Sequence, residues 1–119
     1  MLAYIDPAIA LLTIGLGLFG FLAPRYTAAA LDFKIGGSTM GLSELRASAG
    51  GLFVAVGAFC LVTGDPYAYL MLGVIYAGAA MGRATAIVLD RPPMPKAAVW
   101  LAFEVVPAAW LLSGLSRLG

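Results

Sequence analysis

Polar residues divide this chain into four apolar stretches, and the lengths of those stretches decide the fold class. Crossing the hydrocarbon of a bilayer takes about 20 mostly apolar residues at roughly 1.5 Å of rise each. Four segments meet that length, at about residues 6–24, 42–63, 65–89 and 96–115. Asp6 is expected to cap the first and Pro7 to sit in its first turn, with Pro24 and Arg25 ending it. Gly64 follows the second, where a left-handed residue suits a helix end. A second Asp-Pro, Asp65-Pro66, opens the third. The fourth starts after Pro95 and carries Pro107 in its interior, where the Phe103 carbonyl loses its amide partner.

The connections complete the picture. Gly64-Asp65 reads as a tight turn, and Asp90 to Pro95 as a short stiff loop, because its three prolines fix φ. Residues 26–41 are mixed, hold Asp32 and Lys34, and are expected at the membrane surface with a short amphipathic turn. Short loops make neighbouring helices antiparallel. The expected architecture is an all-α membrane protein, one integral domain over residues 1–119 built as a four-transmembrane-helix antiparallel bundle.

Composition sharpens this. The chain is 62% hydrophobic and 11% charged, with a mean hydropathy of +0.98. Soluble domains carry about 25% charged residues, so a soluble globule and a disordered chain are both excluded. A net charge of +1 gives no field for a polyanion, so nucleic acid is excluded as a partner. No histidine is present, which removes His-ligated haem or zinc and every His-based nucleophile pair. Cys60 is the single cysteine, so neither an intrachain disulfide nor a thiolate metal cluster can form. The first apolar run lacks a preceding Lys or Arg and reads as a retained helix rather than a secretory signal.

Charge asymmetry sets an orientation. Of the seven Lys and Arg residues, Arg25, Lys34, Arg46, Arg83, Arg91 and Lys96 fall on one side and Arg117 on the other. The positive-inside rule then makes the first side cytoplasmic and places both termini outside. Tyr4, Tyr67, Tyr69 and Trp110 are expected in one interfacial belt, Tyr26 and Trp100 in the other.

The residues that could carry chemistry lie inside the spans. Glu104 is mid-span, where a charge costs ~2.5–3.5 kcal/mol on insertion scales and needs a partner, a proton or water. Arg83 lies roughly 10 Å in from one end of the third helix and Glu104 roughly 12 Å in along the fourth. An Arg83–Glu104 pair is therefore expected. Glu44 and Arg46 open the second helix on the same side, and all four are expected to converge as an intramembrane polar cluster. Such a cluster is either a clamp that holds helix register or a polar site for an ion or headgroup. Gly50, Gly51, Gly78 and Gly82 are the expected helix-packing glycines, the last two forming a GxxxG. Gly15-Leu-Gly-Leu-Phe-Gly20 has the letters of a nucleotide fingerprint but lies inside an apolar span, with no strand before it.

An internal echo runs through the chain. Asp-Pro recurs at 6–7 and 65–66, and an Arg then a Glu follow each at similar distances (Arg25 and Glu44, Arg83 and Glu104). A duplicated helical hairpin produces this pattern, and so does the preference of helices for starting at Asp-Pro.

Glu44-Leu-Arg-Ala-Ser-Ala-Gly-Gly51, with Gly82-Arg83, Asp90 and Glu104, resembles a bacterial domain-of-unknown-function family. Its members are small four-helix inner-membrane proteins with E-[IL]-R-A-x-Y-G-G at the start of helix two. Ala49 stands where that family usually has Tyr. The resemblance covers about residues 5–115 and implies the fold and the bacterial inner membrane; it implies no activity.

The expected function is that of a non-catalytic subunit that packs against a larger photosynthetic or respiratory membrane complex. Its partners would be lipids and other transmembrane helices. No cofactor is expected beyond apolar contact with lipid, quinone or pigment. The alternative is a small homo-oligomeric transporter or proton-handling protein that uses the Glu/Arg cluster. An enzyme is not expected, because no activated nucleophile or metal set can be assembled.

Overall fold

The computed structural model describes residues 4–118, and among them every regular element is helical. The chain divides into two compact units, residues 1–63 and 64–119, a boundary that falls at the Gly64-Asp65 turn. Each is a helical hairpin. Among the described residues, three helices are long and apolar enough to cross a membrane: Ile5–Leu22, Met40–Thr63 and Pro66–Asp90.

In the first unit, α1 spans Ile5–Leu22. Its start differs from expectation. The capping position is Tyr4, with no side-chain cap, and Asp6 lies inside the first turn, where its charge faces the positive end of the helix dipole. The helix stops at Leu22 because Ala23 leaves helical geometry (φ −131°, ψ 61°) and Pro24 has no amide to continue the ladder. Pro24 does not end the helical region. It starts a second helix, α2 (Pro24–Ala30), in the first-turn position that proline favours.

The surface turn expected over 26–41 is thus half helix. α2 is rich in alanine, the strongest helix former, and it closes on Asp32, which adopts a left-handed φ of 61°. The Phe33 amide donates to the Ala28 carbonyl at 2.7 Å and the Asp32 amide to the Ala29 carbonyl at 3.2 Å. These two bonds form a Schellman closure, with an aspartate doing what glycine usually does.

α3 (Met40–Arg46), a π-turn (Ala47–Gly51) and α4 (Leu52–Thr63) form one continuous rod antiparallel to α1. Their contact is backbone on backbone. A Cβ added to Gly50 would lie 2.5 Å from the Phe21 nitrogen, and one added to Gly20 would collide with the Ala49 carbonyl. Gly17 and Gly57 extend the seam: added Cβ atoms would stand 2.9 Å from the Gly50 carbonyl and 2.6 Å from Ile14 Cγ1. Cys60 is buried at 1% exposure, as a small apolar residue of this unit.

The second unit pairs α5 (Pro66–Asp90) with α6 (Lys96–Leu112), antiparallel across the proline loop. Asp65 caps α5, its Oδ1 accepting from the Tyr67 amide at 2.9 Å. Gly64 takes the left-handed φ of 60° between the two helices that meet there. The core consists of side chains: Tyr69, Leu72 and Tyr76 from α5, Ala97, Ala108 and Leu111 from α6. Tyr69, expected in an interfacial belt, is part of this core. Gly73 receives Leu111, whose Cβ would lie 2.9 Å from an added Cβ. Pro107 is buried within α6.

α6 is shorter than the span expected over 96–115. A turn at Ser113-Gly114 ends it at Leu112 after 17 residues, and a separate short helix, α7, covers Leu115–Leu118. The side chain of Arg117 and the extreme termini, on which the expected orientation partly rests, lie outside the described residues.

Candidate functional site

The charged centre of the second hairpin follows from helix arithmetic. Arg83 precedes the end of α5 by seven residues, and Glu104 follows the start of α6 by eight, so an antiparallel pair carries them to the same level. The structure brings them together as a two-pronged fork. Arg83 Nε donates to Glu104 Oε1 and Nη2 donates to Oε2, each at 2.9 Å. This is the parallel geometry in which a planar guanidinium matches a carboxylate. Glu104 is the more sheltered partner, with its side chain 12% exposed against 32% for Arg83.

Trp100 completes the arrangement. The Arg83 guanidinium carbon lies 6.0 Å from the centre of its indole, within reach of a cation–π contact. Trp100 in turn packs at 6.0 Å against Phe103. Trp100, expected in an interfacial belt, also serves the fork. The missed signal was its spacing: Trp100 precedes Glu104 by four residues and so shares its helix face.

Glu44 and Arg46 belong to the first hairpin, near the start of the Met40–Thr63 rod. Glu44 is exposed there, and its backbone carbonyl accepts the Ser48 hydroxyl at 2.7 Å. Arg46 Nη1 donates to the Phe21 carbonyl of α1 at 2.6 Å. The Phe21 carbonyl escaped the sequence reading because backbone acceptors are not written in side-chain letters. The available signal was Pro24, since a proline three residues on predicts a disrupted ladder.

The four packing glycines take different places. Gly50 is buried against α1, and Gly51 has ordinary contacts, 3.4 Å from the Arg46 carbonyl and 3.9 Å from Phe21 Cδ1 to an added Cβ. Gly78 and Gly82 lie on an open part of α5, where an added Cβ would meet no atom of its own hairpin within 4 Å. Among the described residues, no group of three or more Cys, Asp or Glu side chains could hold a metal ion.

Chemically, the fork in the second hairpin neutralises itself. The two opposite charges cancel, and the paired hydrogen bonds offset the cost of taking both groups out of water. The arrangement can hold two helices in register.

The match to a family model covers residues 7–115. The chain belongs to the family described as domain of unknown function DUF4345. No curated protein and no solved structure matches it. Arg46, Gly50, Arg83 and Glu104 all fall within the matched range. Membership supplies no activity.

Proposed function

We propose that this member of the family is a non-catalytic, four-span membrane protein of the bacterial inner membrane. In this reading it is an accessory subunit packed against a larger respiratory or photosynthetic assembly. α6 would serve as the fourth span, at 17 residues within the range of about 17–25 that transmembrane helices show. The spans run antiparallel, with both termini outside by the Lys and Arg bias.

One observation carries the reading: Gly78 and Gly82 are spaced as a helix-docking pair yet receive nothing from their own hairpin. Met71, Val74, Met81 and Val88 flank them on the same helix and are all more than half exposed. Helix association in lipid depends on close packing at small residues, so this face suits another transmembrane helix. The Arg83–Glu104 fork supports the same reading, because both charges are already committed to each other.

The test is purification of the native protein in mild detergent, followed by Gly82→Leu. A complex of fixed stoichiometry that Gly82→Leu disperses, with the chain still folded, is the expected result. A lone homo-oligomer that moves protons in vesicles, with flux abolished by Glu104→Gln, would overturn it in favour of the transport reading. That second reading has one observation in its favour: the Arg83 side chain keeps about a third of its surface open.

A further inference from the structure

The interrupted end of α1 sets a physical problem. Ala23 N–H donates to the Phe19 carbonyl at 2.9 Å, and the regular ladder stops there. Pro24 has no amide to offer the Gly20 carbonyl, and α2 opens without a side-chain cap. Carbonyls at the end of a helix must find donors elsewhere. Where water is scarce, each one left bare is costly.

Arg46 answers that need from the opposite helix. Its Nη1 bonds the Phe21 carbonyl at 2.6 Å across a sequence separation of 25 residues. The contact is a cation on the negative end of α1, favoured by the helix dipole as well as by the hydrogen bond. Gly50 lies four residues further along the rod, on the same side, and its bare backbone meets Phe21 and Gly20 directly. The π-turn at Ala47–Gly51 lies between them. Such wide turns inside helices are frequent at functional places.

We infer that Arg46 is a latch: its guanidinium stands in for the Arg25 amide that the break at Ala23-Pro24 takes from the Phe21 carbonyl, and it holds the Ala23 hinge between α1 and α2 closed. With the latch closed, α2 keeps Pro24 and Ala28 buried. With the latch open, the end of α1 frays and α2 swings free on Ala23. The Arg and second-to-last Gly of the Glu44–Gly51 motif thereby acquire a mechanical role, independent of the ion pair in the second hairpin and of any partner.

The experiment is hydrogen–deuterium exchange on the full-length protein in detergent micelles. Arg46→Ala should speed exchange of the amides over residues 19–31 by about ten- to hundredfold, which is the worth of one charge-assisted hydrogen bond. Amides of α5 and α6 should keep their rates. Pro24→Ala lets α1 run on and returns the Arg25 amide to the Phe21 carbonyl, so Arg46→Ala in that background should exchange close to the rate of Pro24→Ala alone. Should Arg46→Ala fail to fold, recovery of folding in the double variant counts for the latch. Unchanged exchange in Arg46→Ala would overturn it. So would a defect that Pro24→Ala leaves undiminished, or a double variant that does not fold either.

Discussion

The two hairpins solve the same packing problem with opposite materials. The first brings backbones together: Gly17, Gly20, Gly50 and Gly57 have no side chains, and their neighbours fill the space where a Cβ would be. The second meets through side chains, Tyr69, Leu72, Tyr76 and Leu111, with Leu111 seated against Gly73. Each also has one arginine crossing between its helices. Arg46 reaches a main-chain carbonyl, whereas Arg83 reaches a carboxylate through two bonds. The difference teaches where each hairpin is vulnerable. A glycine-built seam fails when volume is added, and a charge-built one fails when charge is removed.

The largest expected effect is in the second hairpin. Arg83→Ala strands the Glu104 carboxylate among apolar helices and should cost about 3–5 kcal/mol, as removal of one partner of a sheltered pair does. Adding Glu104→Gln should recover part of that loss. Denaturant titrations of both single variants and the double variant measure the coupling, and strictly additive losses would break the contrast between the hairpins.

Next comes volume in the first hairpin. Gly50→Ala must displace the α1 backbone and should cost about 1–3 kcal/mol in thermal unfolding. Gly78→Ala, on the open part of α5, should be neutral or raise stability by up to about 1 kcal/mol, since alanine is the better helix former. Equal costs at the two positions would erase the distinction.

The smallest effect tests how the hairpins begin. Asp65→Ala removes a side-chain cap and should cost about 1 kcal/mol. Asp6→Ala removes a first-turn charge and should cost about 0.3–1 kcal/mol. Circular dichroism melts of the two variants compare them directly.

The contrast also explains what could be read before any coordinates. Four apolar stretches of spanning length predict helices at nearly the observed places, because hydrophobic length is a property of consecutive residues. Arg83 and Glu104 could be matched because a short proline loop fixes the level of each on its own helix. The break at Ala23 could not be located so well. A proline before a run of alanines ends one helix as readily as it starts the next, and the chain does both. Asp32 hid the end of α2 for a similar reason, since a left-handed closure is ordinarily signalled by glycine. The echo of Asp-Pro, Arg and Glu between the halves marks the two hairpins, yet the locks within them differ. Arg83 and Glu104 bind each other, whereas in the first hairpin it is Arg46, absent from the echo, that spans the helices.

The turn at Ser113-Gly114 has a consequence for the lipid around the second hairpin. α5 has 25 residues and α6 only 17, which at about 1.5 Å per residue gives rods of roughly 37 Å and 25 Å. If both rods cross a bilayer core of about 30 Å, as the proposed four-span reading has it, the longer must tilt and the shorter must draw the leaflets inward. Two helices bolted together at Arg83 and Glu104 cannot tilt independently. On that reading the hairpin would deform the bilayer unevenly on its two flanks, and thinner membranes should accommodate it with less distortion.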